Sequence, residues 1–123
     1  MLVADDEEDI RALVAFRLKR AGYEVIIAAD GEEALLLATT RLPDLAVLDM
    51  MMPKATGLEV TRSMREQATT KEIPVILLTA RAHRLEPGQL NQTGIRQVLD
   101  KPFSVREVIA RAEELTRIPA GRK

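Results

Sequence analysis

Short apolar runs rich in β-branched residues alternate along the chain with longer stretches in which apolar residues recur every three or four positions. The runs predict strands at 1–4, 24–29, 45–48, 73–78 and about 96–100. The stretches predict helices at about 10–21, 30–42, 57–67, 82–93 and 104–115. Because the strands are apolar along nearly their whole length, they suit a parallel sheet that helices cover on both faces.

Right-handed crossovers between such strands favour an α/β, flavodoxin-like, doubly wound parallel sheet of five strands in the order 2-1-3-4-5. Residues typical of helix ends stand at the boundaries of the predicted helices. Gly22 follows the first helix, Asp30 with Glu33 opens the second, and Ser104 with Glu107 forms a capping box at the last. The first helix is expected to bury one apolar face, formed by Ile10, Leu13, Val14, Leu18 and Ala21.

Four hydrophilic residues stand where predicted strands end: Asp6, Asp49, Thr79 and Lys101. The carboxyl ends of neighbouring parallel strands meet at one edge of the sheet, and ligands of such sheets bind at that edge. Carboxylates suit a divalent cation, whereas a hydroxyl and an ammonium suit phosphoryl oxygens. The sequence therefore predicts a site for a metal ion and a phosphoryl group.

The carboxylates Asp5, Asp6 and Asp49 are expected within a few ångströms of one another, because the first and third strands are neighbours in the predicted order. Like charges this close oppose folding unless a cation lies among them. Mg²⁺ suits the site best, since it prefers oxygen ligands and is commonly held by carboxylates and phosphate oxygens. The alternative is that the acids of 5–9 only favour a helix N-terminus, which explains 7–9 but not Asp49.

Beside Mg²⁺, the carboxylate of Asp49 could attack phosphorus and form an acyl phosphate. Met51 would offer the metal only its backbone carbonyl, and the neighbouring methionine side chains are assigned to the core. Lys101 would neutralise phosphoryl charge, and Thr79 would donate a hydrogen bond to a phosphoryl oxygen. Either residue alone is more often structural, but their joint placement favours the functional interpretation.

Composition excludes several classes of function and of binding site. Lys plus Arg (18) nearly balances Asp plus Glu (19), so nothing favours direct binding of nucleic acid or an anionic membrane. The absence of cysteine excludes disulfides and a thiolate metal site. No apolar run approaches the roughly 20 residues of a membrane span, and a cytoplasmic location is expected. His83, the only histidine, is interpreted as a surface loop residue.

Together these residues resemble the receiver domain of two-component response regulators, of which a chemotaxis receiver is one example. The resemblance covers about 1–117 and leaves 118–123 as a tail or the start of a linker. It rests on six segments in the family's order and at similar spacing, namely 2–10, 30–34, 43–49, 52–57, 74–80 and 101–103.

The resemblance implies a phosphoryl switch that works in two-component signal transduction. A sensor histidine kinase or a phosphotransfer protein would donate the phosphoryl group from a phosphohistidine to Asp49. Mg²⁺ would be bound by Asp6, Asp49 and the Met51 carbonyl, with Asp5 acting mainly through water. The domain would be a phosphoacceptor rather than an enzyme, with at most self-catalysed phosphotransfer and autodephosphorylation.

The resemblance also implies how the signal leaves the site. Lys101 and Thr79 would grip the phosphoryl group, Ala80 matches the small residue that leaves access to it, and the peptide before Pro102 would be cis. Movement of Thr79 would shift the surface of the fourth helix, the fifth strand and the last helix. That surface would meet a downstream output domain or protein, or a second copy in a homodimer.

The chain departs from the family pattern at three places. Val98 replaces the usual switch aromatic, so coupling is expected to run mainly through backbone and helix shifts within 80–94. Residues 95–97 lack an acidic pair that the family often uses in dimers. Pro87 and Gly88 interrupt the fourth predicted helix and weaken it.

Two other classes of protein remain open. A haloacid dehalogenase-like phosphohydrolase also uses an aspartate nucleophile and Mg²⁺, but its general acid two residues later would here be Met51. A degenerate receiver would bind partners without phosphate. The presence of all five site residues argues against that class, and these residues are Asp5, Asp6, Asp49, Thr79 and Lys101.

Overall fold

The computed structural model describes residues 1–80, 88, 93–95, 97–101 and 103–116. They form a parallel sheet with the strand order β2-β1-β3-β4-β5, which confirms the predicted fold. The strands are β1 (Leu2–Ala4), β2 (Ile26–Ala28), β3 (Ala46–Asp49), β4 (Val75–Thr79) and β5 (Gln97–Asp100).

The described helices are α1 (Glu8–Arg20), α2 (Gly31–Arg41), α3 (Gly57–Arg65) and α4 (Val105–Thr116). Most of the predicted helix at 82–93 lies outside the described residues, as do His83, Pro102 and the tail at 118–123. Within the part of the chain that is described, no helix is both long enough and apolar enough for a bilayer span.

Helix starts follow the local hydrogen-bonding signals. The Asp30 side chain accepts a hydrogen bond from the Glu33 backbone N–H at 2.8 Å, and the Glu33 side chain accepts one from Ala29 at 2.9 Å. At α3, Thr56 and Glu59 form a full capping box that the sequence analysis did not identify. These contacts supply partners for backbone N–H groups that a helix N-terminus leaves unpaired.

The core has one layer on each face of the sheet. On one face α2 and α3 pack against β1, β3 and β4. On the other face α1 and α4 pack against the alternate residues of the same strands. The predicted buried face of α1 was partly wrong, because Leu13 is 48% exposed and Ala21 is also exposed. Val14 and Leu18 are buried as predicted, and Ala15 is buried with them.

Two glycines allow close packing of the segment that follows β3. A Cβ atom on Gly57 would lie 2.7 Å from the Asp49 carbonyl oxygen, and one on Gly31 would collide with Ala55. Gly57 donates a backbone hydrogen bond to Met50, and Gly31 donates one to Pro53. The segment between β3 and α3 is therefore held against the first turns of both helices.

Arg65 ties the end of α3 to two other parts of the chain. Its Nε donates to the Thr93 carbonyl at 2.6 Å, and its Nη1 donates to the carbonyls of Ile73 at 2.7 Å and Lys71 at 3.0 Å. These acceptors belong to the loop before β4 and to the turn before β5. One side chain thus joins three segments.

Candidate functional site

The predicted site residues gather at the carboxyl edge of the sheet. Asp49 ends β3 and pairs with Leu78 of β4, and Thr79 pairs with Asp100 of β5. Lys101 follows β5, and its backbone N–H donates to the Thr79 carbonyl at 2.9 Å. The strand register therefore determines that these groups share one edge.

Asp5, Asp6 and Asp49 form a carboxylate cluster at this edge. Each offers one oxygen atom, and these atoms lie within 4.8 Å of one another. Asp5 and Asp49 are buried, whereas Asp6 is exposed. The buried Asp5 Oδ2 accepts no hydrogen bond from the residues that the structure describes. An oxygen set of this kind, which includes a buried oxygen without a hydrogen bond from the described residues, fits Mg²⁺.

The ammonium of Lys101 lies among carboxylates. Its Nζ is 3.1 Å from Asp49 Oδ1, 3.4 Å from Glu7 Oε1 and 3.5 Å from Asp5 Oδ2. Burial lowers the pKa of Lys101, but the hydrogen bond and charge of Asp49, together with Asp5 and Glu7, raise that pKa above 10.5 overall. The side chain therefore remains a cation at neutral pH.

Burial, followed by the charge of Asp5, raises the pKa of Asp49 from 3.8 to about 6 overall. Lys101 and the backbone N–H of Met51 act in the opposite direction, because both stabilise the carboxylate. The metal-free site thus holds a carboxyl group that ionises only at some cost to the fold.

Asp49→Asn is expected to stabilise the metal-free protein, by up to about 3 kcal/mol above pH 6, at roughly 1.4 kcal/mol per pKa unit. The folded-state pKa lies above the unfolded one, so ionisation opposes folding fully above about pH 6, and this cost disappears as the pH falls toward about 4. Asparagine cannot ionise, so its advantage should shrink over the same range. Urea unfolding in the presence of a chelator across this pH range measures the gain in stability and its dependence on pH. A gain in stability that did not change with pH would contradict the charge argument.

The other predicted residues lie nearby. Thr79 is buried at the end of β4, Ala80 follows it and is exposed, and the Met51 side chain is 68% exposed. Met52 is buried in the core and Met50 packs against it, as the sequence analysis assigned. The Met51 carbonyl as a metal ligand stays a prediction.

Sequence reasoning missed what two residues do. It assigned Glu7 only to the start of α1, whereas its side chain lies 3.4 Å from the Lys101 ammonium. Arg11 was given no role, yet its Nη1 donates to the Asp5 carbonyl at 2.9 Å and so holds the turn that carries the acids. One available signal was that glutamate is not among the favoured N-cap residues.

Comparison with known proteins decides what this arrangement represents. Residues 1–113 match the response regulator receiver domain family. The chain belongs to this family. It is therefore a signalling domain of the two-component type, with the phosphoacceptor function of that family.

Two transcriptional regulatory proteins illustrate the similarity in sequence. The chain is 44% identical over 117 residues to the alkaline phosphatase synthesis transcriptional regulatory protein PhoP of Bacillus subtilis, covering 95% of this chain and 48% of PhoP. It is 37% identical over 117 residues to the phosphate regulon transcriptional regulatory protein PhoB of Pseudomonas aeruginosa, covering 95% of this chain and 51% of PhoB. The receiver domain spans about half the length of these relatives.

Solved receiver domains share the fold. The Francisella response regulator 1452 receiver domain is 34% identical, with a TM-score of 0.86 and 94% of each chain covered. The receiver domain of the sensor histidine kinase PA1611 from Pseudomonas aeruginosa, whose structure contains a magnesium ion in its active-site cleft, is 28% identical. Its TM-score is 0.83, with 94% of each chain covered.

Proposed function

We propose that this receiver domain accepts a phosphoryl group on Asp49 in a Mg²⁺-dependent reaction. One observation carries the assignment: the buried Asp49 carboxylate lies 3.1 Å from the Lys101 ammonium and within the cluster formed with Asp5 and Asp6. Such an arrangement gives the carboxylate both a neighbouring cation and further oxygen atoms that could bind a metal ion.

In the proposed step an oxygen of Asp49 attacks phosphorus of a phosphohistidine on a kinase or phosphotransfer partner. The new phosphorus–oxygen bond forms as the phosphorus–nitrogen bond of the donor breaks. The electron pair of the broken bond stays on the imidazole, which leaves as the neutral ring when its other nitrogen is protonated. Asp49 then carries a mixed anhydride of its carboxyl group and phosphate.

Asp5, Asp6, Asp49 and the Met51 carbonyl would hold Mg²⁺, in accord with the magnesium ion in the PA1611 receiver domain. When bound, the ion neutralises the charge that carboxylates and phosphoryl oxygens bring together. Lys101 contributes a second positive charge from the β5 side of the site.

Thr79 and Ala80 complete the proposed site. Thr79 ends β4 at the edge shared with Asp49, where its hydroxyl would donate a hydrogen bond to a phosphoryl oxygen. Ala80 is small and exposed, so it leaves access for the donor. Val98 is half-buried beside Leu77, so this chain has no aromatic side chain there to follow a movement of Thr79. The coupling segment predicted at 80–94 lies mainly outside the described residues.

The proposed domain runs over 1–117, followed by a tail or linker at 118–123. Its output surface would be the segment before β5, β5 itself and α4, which would meet an output domain, a separate protein or a second copy of the chain. Relatives named as transcriptional regulators support a cytoplasmic location. A formal net charge of −1 gives this domain no basis for direct contact with nucleic acid or a membrane.

A phosphohydrolase is the second candidate, but the residue two positions after Asp49 is Met51, whose thioether cannot act as a general acid. Incubation with acetyl phosphate and Mg²⁺ separates the two functions. A receiver domain should accumulate about one phosphoryl group per chain, located on Asp49 by peptide mass spectrometry. Repeated release of phosphate without phosphoprotein would indicate a phosphohydrolase, and the absence of both would indicate a degenerate receiver.

A further inference from the structure

Glu7 occupies the N-cap position of α1 without making the contact that N-cap side chains usually make. Its backbone is extended there, and its side chain caps no N–H group of the helix. Serine, threonine, aspartate and asparagine are favoured at this position because their short side chains reach those groups. A glutamate that breaks a local preference beside a functional site is a reason to ask what else its side chain binds.

The Glu7 carboxylate points instead to the site. Its Oε1 is 3.4 Å from Lys101 Nζ, and the side chain is 60% exposed. The other two carboxylates around that ammonium, on Asp5 and Asp49, are almost fully buried. Glu7 is therefore the acid that approaches Lys101 from the solvent side.

The backbone of Glu7 is held in place by two hydrogen bonds. Its N–H donates to Asp5 Oδ1 at 2.9 Å, and its carbonyl accepts from the Arg11 N–H at 2.9 Å. Arg11 also donates through Nη1 to the Asp5 carbonyl. A hydrogen-bonded turn between β1 and α1 thus fixes the backbone position from which the Glu7 side chain approaches Lys101.

We propose that Glu7 is a positioning residue that holds the Lys101 ammonium on the solvent side of the site and thereby slows phosphoryl acceptance by Asp49. This inference rests on the proposed function. Glu7 does not touch the reacting atoms. It acts through Lys101 and through its own negative charge at the mouth of the site.

Two effects of Glu7 have the same sign. As an ion-pair partner, it competes with phosphoryl oxygens for Lys101. As an exposed anion beside the site, it repels an incoming phosphodonor, which is also an anion. A unit charge several ångströms from the reacting group, in surroundings close to water, changes a rate by about two- to tenfold. Removal of that charge should therefore accelerate phosphorylation.

The test compares Glu7→Gln with Glu8→Gln, measuring the rate of phosphorylation by acetyl phosphate at saturating Mg²⁺. Both variants lose one negative charge from the same turn, but Glu8 is 87% exposed and approaches Arg11 rather than Lys101. Glutamine at position 7 can still accept a hydrogen bond from Lys101, so this variant changes the charge alone. We expect a rate about two to ten times that of wild type for Glu7→Gln and a smaller change for Glu8→Gln.

Salt and a conservative variant separate charge from structure. The rate ratio of Glu7→Gln to wild type should fall toward one at about 1 M salt, where charges are screened within about 3 Å. Glu7→Asp keeps the charge and should remain nearer to wild type than Glu7→Gln.

Equal rates for the two glutamine variants, a slower Glu7→Gln, or a ratio that salt does not change would each overturn the role of Glu7. Wild type that acquires no phosphoryl group on Asp49 would instead overturn the proposed function, and this inference with it. The wild-type measurement therefore distinguishes the two failures.

Discussion

Asp49→Asn is expected to reduce Mg²⁺-dependent phosphorylation by on the order of a hundredfold or more, because an amide oxygen cannot replace a carboxylate nucleophile. The substitution preserves the shape of the side chain and removes a carboxyl group whose ionisation opposes folding, so the protein should remain folded. Incubation with acetyl phosphate and Mg²⁺, followed by intact-protein mass spectrometry, measures the fraction phosphorylated. Urea unfolding of the same sample verifies the fold.

The matched control for that experiment is Asp44→Asn. Asp44 is exposed and precedes β3, at the opposite end of the strand from Asp49. This variant makes the same chemical change in the same chain and should be phosphorylated like wild type. Undiminished phosphorylation of Asp49→Asn would show that another residue accepts the phosphoryl group.

Mg²⁺ is expected to stabilise the fold, by about 2.7 kcal/mol when its concentration is ~100 times the dissociation constant. The proposed metal site, the cluster of Asp5, Asp6 and Asp49, exists only when folding brings these carboxylates together. Asp6→Asn should remove most of this gain. In a chelator the same variant should be as stable as wild type or more so, because one repulsive charge is gone. Urea unfolding with Mg²⁺ and with a chelator measures both quantities.

Asp9→Asn is the control for the metal experiment. Asp9 is an exposed acid in the first turn of α1, outside the cluster, so its variant should keep the full response to Mg²⁺. If millimolar Mg²⁺ left the stability of wild type unchanged, or if both variants lost the response equally, the cluster would not be a specific metal site.

The order of strands and the edge that holds the site were predictable from sequence because both depend on simple regularities. Apolar runs separated by helical periodicity imply a parallel sheet, and parallel strands end at a common edge. Asp49, Thr79 and Lys101 could therefore be grouped before any distance was known. The structure adds the values, such as the 3.1 Å between Lys101 and Asp49.

Side-chain direction was less predictable. Leu13 fits helical spacing with Ile10 and Val14, but it is 48% exposed because Val14 and Leu18 set the direction of the buried face. The predicted second strand extends over 24–29, whereas β2 contains only Ile26–Ala28, since apolar character alone does not show where strand pairing stops.

Glu7 shows a similar limit at the site. Acids at a helix N-terminus have a general electrostatic explanation that needs no specific partner. The partner of Glu7 is Lys101, which lies 94 residues later in the sequence, and only the folded structure brings the two together. Contacts across such a separation are not contained in local sequence patterns.

The guanidinium of Arg65 has a consequence for how a disturbance spreads through the domain. It bonds rigid backbone carbonyls on either side of β4, in the loop before that strand and at Thr93. A rotation of α3 about its own axis would therefore either pull the chain just before β5 along with it or break a 2.6 Å hydrogen bond. The end of α3, the loop before β4 and the chain before β5 are in this sense mechanically linked, and lysine, with one compact ammonium in place of a planar fork, could not keep all of these bonds at once.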